Sequence, residues 1–283
     1  MKKVFDGVGT AIVTPFKNDE VDFVSFGRLI IAQIEAGVSA IIVLGTTGEA
    51  ATINDAEREA IVDFAVEVVA GRAKVIVGIG GNDPAKIIKY GKEAKAAGAD
   101  AVMVTAPYYN KATQGGVIKY FEVIAREIKH PIIAYNVPGR TGMNIEAETM
   151  QKISGIKYIH GIKESSGNIE QIGNVIRLCP DVAVYCGDDA LALPCYALGA
   201  KGVISVASNA YPAEVMRVYT LFKARRNRAA KKLFLSQLPL YKNLFIEVNP
   251  IPVKYLLNKQ GLIANELRLP LTPLSDDKRK LFD

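Results

Sequence analysis

The sequence predicts an α/β fold, a (β/α)8 TIM barrel with an appended C-terminal helical region. Short β-branched runs recur along the chain, segments with helical periodicity lie between them, and the runs are spaced roughly 20 to 35 residues apart. The predicted strands are Gly9–Val13, Ala40–Leu44, Lys74–Gly78, Ala101–Thr105, Pro131–Tyr135, Ile159–Lys163, Val182–Cys186 and Gly202–Val206. Eight strands, each followed by a helix, fit a closed barrel better than an open sheet.

Helical periodicity is clearest in four of the segments between the strands. These segments are Asp22–Ala36, Asp55–Val69, Pro84–Ala97 and Gln114–Ile128. Residues that favour helix starts support two of them, because Asn54 precedes Asp55 and Asp83 precedes a first-turn Pro84.

The predicted barrel core comprises residues 1–210, and residues 211–283 contain more helix than an eighth repeat needs. No Gly/Ser/Pro-rich linker separates the two parts, so we expect the C-terminal helices to pack on the barrel. The competing fold is a doubly wound sheet, which the segment Gly78–Gly81 superficially supports. That segment lacks the third glycine of GxGxxG, since Asp83 stands there, and Asp100 is interpreted as a turn residue.

Composition excludes several classes of protein. Hydrophobic residues make up 49% and charged residues 23% of the 283 residues, which is typical of a folded globular chain. No segment approaches the ~18 uncharged apolar residues that span a bilayer. Asp6 and Pro15 interrupt the apolar stretch that follows Met1, so no signal peptide is expected and a cytoplasmic location is predicted.

The net charge of +6 raises the question of nucleic-acid binding. The densest basic run is 223–228, continuing to Lys231 and Lys232, on an apparent helix with apolar residues on another face. It lacks the interleaved aromatic residues of a stacking surface, so a solvated helix face is the better interpretation.

The remaining cysteines and histidines argue against disulfides, metal sites and a Ser-His-Asp triad. The odd number of cysteines (Cys179, Cys186 and Cys195) and the absence of a CxxC pair predict reduced packing residues rather than a disulfide framework or zinc site. His130 and His160 are isolated from carboxylates at ligand spacing, which argues against a His-rich metal site and a Ser-His-Asp triad.

Lys163 is the most informative residue of the chain. It ends the sixth predicted strand, and a polar turn beginning at Glu164 follows at once. Active sites of such barrels lie at the C-terminal ends of the strands. Burial there disfavours the ammonium form of a lysine, so the amine can act as a nucleophile toward a carbonyl. Glu164 should point to the opposite face and not neutralise it.

The second predicted strand is followed by Gly45-Thr46-Thr47-Gly48-Glu49. Two hydroxyls and successive backbone amides in a glycine-flanked turn suit a small carboxylate. The same residues also fit a tight turn that caps the next helix, and the motif alone leaves both interpretations open.

Candidate side chains also follow other strands. Tyr109 lies after the fourth strand, and Tyr135 ends the fifth, where a phenol can exchange protons with a substrate oxygen. Arg140, in a Pro-Gly turn, offers a planar fork for a second carboxylate. The alternatives are a packing role for the tyrosines and a surface role for Arg140. Gly187 and Ile204 are expected to border the pocket.

These residues together resemble the dihydrodipicolinate synthase (4-hydroxy-tetrahydrodipicolinate synthase) family. The resemblance runs nearly end to end and rests on motifs placed in order on successive strand ends. The motifs are GTTGEA at 45–50, PYYN at 107–110, YNVPGRTG at 135–142, IKESSGN at 162–168, GDDA at 187–190, GVISV at 202–206 and NPIPVK at 249–254.

The resemblance implies a lyase that condenses pyruvate with L-aspartate 4-semialdehyde, an early step of lysine and diaminopimelate biosynthesis, without a metal or organic cofactor. It implies that Lys163 forms the Schiff base with pyruvate. It also implies that Thr46 and Thr47 hold the pyruvate carboxylate, while Thr47, Tyr135 and Tyr109 relay protons. Arg140 is implied to bind the carboxylate of the semialdehyde.

The resemblance further implies a homo-oligomer, usually a tetramer of two tight dimers, in which Tyr109 enters the neighbouring subunit. Related enzymes offer rival activities, N-acetylneuraminate lyase and 2-keto-3-deoxy-sugar acid aldolase, which share the Schiff-base lysine. The GRTG turn and the Thr-Thr pair favour the synthase. A catalytically silent, ligand-binding barrel would be expected to have lost Lys163 or Tyr135.

One departure from the family concerns regulation. Lysine-inhibited members have an acidic residue at the position of Lys86, and a histidine or glutamate at that of Arg58. Here both are cationic, although Asn82 and Tyr108 remain. Two positive charges should repel the ε-ammonium of lysine, so feedback by lysine is expected to be weak or absent.

Overall fold

The computed structural model describes residues 1–282 and contains ten strands. They are β1 (Gly7–Ala11), β2 (Phe16–Lys17), β3 (Glu20–Val21), β4 (Ala40–Val43), β5 (Lys74–Gly78), β6 (Ala101–Thr105), β7 (Ile132–Asn136), β8 (Ile159–Glu164), β9 (Ala183–Cys186) and β10 (Gly202–Ser205). The helices are α1 (Phe23–Glu35), α2 (Asp55–Val69), α3 (Pro84–Ala96), α4 (Gln114–Ile128), α5 (Pro138–Thr141), α6 (Ala147–Ser154), α7 (Ile169–Leu178), α8 (Ala192–Leu198), α9 (Pro212–Lys223), α10 (Asn227–Asn243), α11 (Ile251–Lys259) and α12 (Asp276–Arg279). Four short 3-10 helices occupy 50–52, 189–191, 207–209 and 280–282.

Eight of the strands close into a parallel barrel, while β2 and β3 form a separate antiparallel hairpin. The order around the barrel is β1-β10-β9-β8-β7-β6-β5-β4, so β1 pairs with both β10 and β4. The (β/α)8 prediction is therefore confirmed, and the doubly wound sheet is excluded because an open sheet has two unpaired edges.

The core has two layers, as the alternation of side chains along a strand requires. The larger layer lies between the barrel and its surrounding helices. The smaller layer fills the barrel interior and includes Ile42, Met103, Tyr135 and Ile204. At the N-terminal end of the barrel, the rings of Phe5 and Tyr185 stack with their centroids 4.3 Å apart. The interior is therefore packed at that end, and the opposite end is left for the site.

Most predicted elements agree with the structure, and two helix starts show why. Asn54 caps α2 by accepting from Glu57 N, while the Glu57 carboxylate accepts from Asn54 N. Asp83 accepts from Ala85 N at the start of α3. Each side chain satisfies a backbone donor that the first turn leaves unpaired.

The first predicted strand was placed two residues too late. Gly7 N already donates to Lys201 O, and Gly7 pairs with Gly202. Val13, predicted as strand, instead donates its N–H to the side chain of Asn209. Buried apolar residues that continue past a strand end look like strand in the sequence, because burial and not pairing sets the hydrophobic pattern.

The sequence predicted that the basic run at 223–228 lies on one helix, and this prediction is wrong. Helix α9 ends at Lys223, α10 begins at Asn227, and Arg225 adopts a left-handed conformation between them (φ 58°). These residues are exposed to solvent, as a solvated surface requires.

The C-terminal helices contact the barrel, and a buried ion pair ties them to it. Lys254 Nζ on α11 lies 2.5 Å from Glu49 Oε1, with both side chains almost fully buried. Glu49 Oε2 also accepts from Arg268 N. The expected packing is thus observed, while the division of the chain at residue 210 stays a prediction.

Cys179, Cys186 and Cys195 are free and buried. No helix within residues 1–282 combines the length and apolar character that crossing a membrane requires.

Candidate active site

Lys163 and Tyr135 face each other at the C-terminal end of the barrel. They are register partners on β8 and β7, and each is 5% exposed. Lys163 Nζ lies 4.3 Å from the centroid of the Tyr135 ring. Within residues 1–282 the amine forms no hydrogen bond or ion pair, so nothing in this part of the chain holds it away from an incoming carbonyl.

The carboxylate next to Lys163 points away, as the sequence predicted. Glu164 is fully buried and accepts hydrogen bonds from Asn136, Ser166 and Gln171. Alternation along β8 places this cluster on the outer face of the strand, behind the amine.

Gly187, which follows β9, packs directly against the Lys163 side chain. A Cβ added at Gly187 would overlap Ser165 Oγ and lie 2.8 Å from Lys163 Cε. Ser165 Oγ has no hydrogen-bond partner among the described residues, so it could rotate away at little cost. The lysine stem, however, would have to move. Gly187 therefore leaves room for the Lys163 side chain, while its place at the pocket border stays a prediction.

The variant Gly187→Ala is accordingly expected to slow covalent trapping of a carbonyl ligand at Lys163 by roughly ten- to a hundredfold, because a displacement of about 1 Å in a reacting group can cost that much. Borohydride reduction followed over time by intact mass measures the rate. Gly173→Ala is the matched control, since its Cβ would meet only Leu198 Cδ1 at 3.8 Å. An unchanged trapping rate in Gly187→Ala would show that Gly187 does not determine where the Lys163 amine lies.

The Thr46-Thr47 turn follows β4 and opens toward the same end of the barrel. Leu44 takes a left-handed conformation (φ 55°), which turns the chain sharply. Gly48 N donates to Gly45 O, and Glu49 N donates to Thr46 O. Within residues 1–282 the N–H groups of Thr46 and Thr47 donate to no acceptor. Two free amides beside two hydroxyls fit the carboxylate interpretation.

The cap of α2 is Asn54, not this turn. The 3-10 helix at 50–52, however, has Glu49 of this motif at its N-cap position, so both interpretations of the turn stay predictions. Gly78 on β5 makes the turn possible, because a Cβ there would overlap Leu44 O.

Asn249 is the functional candidate that the sequence reasoning missed. Its Nδ2 donates to Thr47 Oγ1 at 2.9 Å, and its carbonyl accepts from Arg140 Nη2 at 3.0 Å. In the sequence, Asn249 is marked by its place in the NPIPVK motif at 249–254. The resemblance assigns no role to that motif. Asn249 thus links the hydroxyl of one candidate to the guanidinium of another.

A cavity of about 550 Å³ opens above these residues. Thr46, Tyr135 and Arg140 line it, and so does Asn249. The predicted site residues Lys163, Thr47, Gly187 and Ile204 are not among the residues that line it. Ile204 is fully buried in the interior layer.

Tyr109 is not in this cavity. Its side chain is 88% exposed and its backbone is left-handed (φ 71°), whereas Tyr108 lines the cavity wall. Of the predicted catalytic residues, Lys163 and Tyr135 are thus in contact, whereas Tyr109 lies outside the cavity, and the roles of all four stay predictions.

The four predicted regulatory positions all line the same cavity. They are Arg58, Asn82, Lys86 and Tyr108. The Arg58 guanidinium lies 4.2 Å and Lys86 Nζ 5.5 Å from the centroid of the Tyr90 ring. Burial lowers the pKa of the Arg58 guanidinium from its ordinary value. The cavity lining therefore carries two cations beside Tyr90.

Side chains that could bind a metal do not gather elsewhere. Among residues 1–282, His, Cys, Asp and Glu form no group of three or more that could hold a metal ion.

The order of these residues along the chain matches a known protein family. The model of the dihydrodipicolinate synthetase family matches residues 4–283. The chain belongs to this family.

Members of the dihydrodipicolinate synthetase family resemble the chain over almost its whole length. A curated 4-hydroxy-tetrahydrodipicolinate synthase from Alkaliphilus oremlandii is 46% identical over 282 residues, which is 99% of this chain and 97% of the relative. The crystal structure of the Thermotoga maritima synthase has a TM-score of 0.97 at 44% identity, covering 99% of this chain and 96% of that one. The chloride-inhibited enzyme from Acinetobacter baumannii, solved with pyruvate, has a TM-score of 0.96 at 39% identity, covering 98% and 96%.

Proposed function

We propose that this chain is a 4-hydroxy-tetrahydrodipicolinate synthase, a lyase that condenses pyruvate with L-aspartate 4-semialdehyde in lysine and diaminopimelate biosynthesis. The observation that carries the proposal is the buried amine of Lys163, uncommitted within residues 1–282 and 4.3 Å from the Tyr135 ring. Relatives with this name align along nearly the entire chain.

The chemistry starts at Lys163 Nζ. The nitrogen lone pair attacks the ketone carbon of pyruvate, and the resulting carbinolamine takes up one proton and loses water to give a protonated imine. The imine withdraws electrons, so a methyl proton leaves and an enamine forms. The enamine carbon then attacks the aldehyde of the second substrate. The face of the Tyr135 ring stabilises a cation at the nitrogen, which favours the protonated imine.

Thr47 is proposed to relay protons with Tyr135. Its Oγ1 already accepts a hydrogen bond from Asn249 Nδ2, so the hydroxyl proton is free to point at a substrate oxygen or at the Tyr135 phenol. The free amides of Thr46 and Thr47 would hold the pyruvate carboxylate. Gly187 and Ile204 would shape the floor beneath it.

Arg140 is proposed to bind the carboxylate of the semialdehyde. One of its Nη groups donates to Asn249 O, and this bond leaves the other guanidinium donors for a substrate at the cavity mouth.

The exposed Tyr109 supports a homo-oligomer. A large aromatic side chain that is 88% exposed beside the site fits a residue that completes the cavity of a neighbouring subunit. We propose a tetramer made of two tight dimers, with Tyr109 relaying protons in the neighbouring site. A cytoplasmic location is also proposed.

Borohydride trapping tests the mechanism. The chain is incubated with pyruvate and borohydride, and the adduct is located by intact mass and peptide mapping. An adduct on Lys163 is expected, and an adduct elsewhere or none would sink the mechanism. Initial rates with aspartate 4-semialdehyde are then compared with rates of cleavage of sialic acid and keto-deoxy sugar acids. Faster turnover of either alternative would replace the synthase assignment.

Feedback by lysine is expected to be weak, because Arg58 and Lys86 place two positive charges in the cavity lining beside Tyr90. Initial rates should be unchanged at sub-millimolar L-lysine. In the double variant Arg58→His, Lys86→Glu, inhibition should appear. Lys89→Glu in place of Lys86→Glu is the matched control, since Lys89 Nζ lies 5.6 Å from the same Tyr90 ring but pairs with Asp55. Sub-millimolar inhibition of the unmodified chain would refute the expectation.

A further inference from the structure

Behind Lys163 and Tyr135 lies a buried polar cluster that no step of the reaction uses. Glu164 follows Lys163 on β8, Asn136 follows Tyr135 on β7, and both are fully buried. Asn136 Nδ2 lies 3.1 Å from Glu164 Oε1 and 3.0 Å from Oε2. A single amide thus connects the two strands immediately beyond the reacting pair.

The other contacts of the cluster fix both side chains. Ser166 N donates to Glu164 Oε1 at 2.8 Å, and Gln171 Nε2 donates to Oε2 at 3.2 Å. Asn136 Oδ1 accepts from Ile145 N at 2.9 Å, and Asn136 Nδ2 also reaches Asn144 Oδ1 at 2.8 Å. The amide and the carboxylate therefore each have one orientation that satisfies all their partners.

The hydrogen bonds to Glu164 come from amide and backbone N–H groups. Within the described part of the chain, 1–282, Glu164 forms no ion pair, and all its hydrogen-bond donors are neutral N–H groups. Burying an unpaired carboxylate costs free energy, so the cluster is poorly explained by stability alone. A carboxylate differs from an amide at this position because both of its oxygens can accept hydrogen bonds. Three donor groups converge on them here.

We propose that Glu164 and Asn136 are positioning residues that hold β7 and β8 in the arrangement that places Lys163 Nζ over the Tyr135 ring. The register supports this role, because Tyr135 pairs with Lys163 and Asn136 pairs with Glu164. A shift between the strand ends would change the distance from the amine to the ring and hydroxyl of Tyr135. The inference rests on the proposed Schiff-base function.

The variant Glu164→Gln tests the role, because it keeps the shape but turns one acceptor into a donor facing other donors. We expect kcat and the rate of pyruvate trapping at Lys163 to fall roughly ten- to a hundredfold, with the KM for pyruvate changed by less than about threefold. Gln33→Leu is the control, as Gln33 is equally buried and bonds Thr10 Oγ1 on β1, away from the site. It should lower the melting temperature without lowering kcat.

Reversing the polarity of the link gives a second readout. In the double variant Asn136→Asp, Glu164→Gln, the donor lies on β8 and the acceptor on β7, so part of the lost kcat should return. A kcat for Glu164→Gln equal to that of the unmodified chain, or one that falls no more than in Gln33→Leu at equal loss of melting temperature, overturns the proposal.

The remaining outcomes separate failure of the positioning role from failure of the Schiff-base function. If Glu164→Gln does not fold, Asn136→Ala breaks the same link from β7, and an unchanged kcat there overturns the proposal. If the unmodified chain gives no pyruvate adduct on Lys163, the Schiff-base function fails first. An adduct that forms equally fast in the unmodified and variant chains removes only the positioning role.

Discussion

Replacing Lys163 with alanine is expected to abolish the pyruvate adduct and to lower kcat/KM by a factor on the order of a thousand or more, because no other group can form the imine. Among residues 1–282, Lys163 is the lysine that lies against the Tyr135 ring, with Nζ 4.3 Å from the ring centroid. Borohydride trapping and steady-state rates with both substrates measure the two effects.

Lys157→Ala provides the comparison for that variant. Lys157 Nζ also lies near a tyrosine ring, 5.1 Å from the centroid of Tyr158, but on the surface before β8. Its loss should leave trapping and turnover unchanged. Retention of a trapped adduct in Lys163→Ala would show that the reactive amine lies elsewhere.

Replacing Lys254 with methionine is expected to lower the free energy of unfolding by about 3–5 kcal/mol, because the Glu49 carboxylate stays buried without its partner. This is the largest loss of stability expected among the variants described. Lys254 Nζ lies 2.5 Å from Glu49 Oε1 and 4.2 Å from the centroid of the Phe16 ring, and its side chain is 0% exposed. Burial lowers the pKa of the Lys254 amine, although the neighbouring carboxylate opposes this shift. Denaturant unfolding followed by circular dichroism measures the loss.

The double variant Lys254→Met, Glu49→Gln should recover much of that stability, since it removes both charges. Lys74→Met is the matched control. Its ion pair with Asp100 is exposed, so its loss should cost about 1 kcal/mol or less. Equal losses for Lys254→Met and Lys74→Met would mean that the buried pair contributes no more than a surface pair.

The barrel could be predicted because local patterns specify its elements. Helices α2 and α4 and strands β5 and β6 begin and end where the sequence predicted. Their boundaries coincide with capping residues or with changes from apolar runs to turn residues. Strand β1 was misplaced because Val13 is buried outside the sheet. The prediction of a single helix for the basic run was wrong, because the three exposed residues between α9 and α10 carry no strong turn signal.

Part of the candidate site was predicted from one rule, that residues at the C-terminal ends of barrel strands face the same cavity. That rule identified Lys163, Tyr135 and the Thr46-Thr47 turn. It could not identify Asn249, which bonds Thr47 across 202 positions of sequence. It also gave no sign of the Glu164–Asn136 link. Such pairs depend on tertiary geometry, and no local pattern encodes them.

The bond between Asn249 and Thr47 has a consequence for synthesis of the chain on the ribosome. Thr47 emerges early, but its hydroxyl is oriented by a side chain made about 200 residues later. Elongation at about 5–20 residues per second separates the two by roughly 10 to 40 seconds. A nascent chain therefore carries the threonine turn without its orienting amide for most of its synthesis. Enzymatic activity in such a chain would report that translation has passed Asn249.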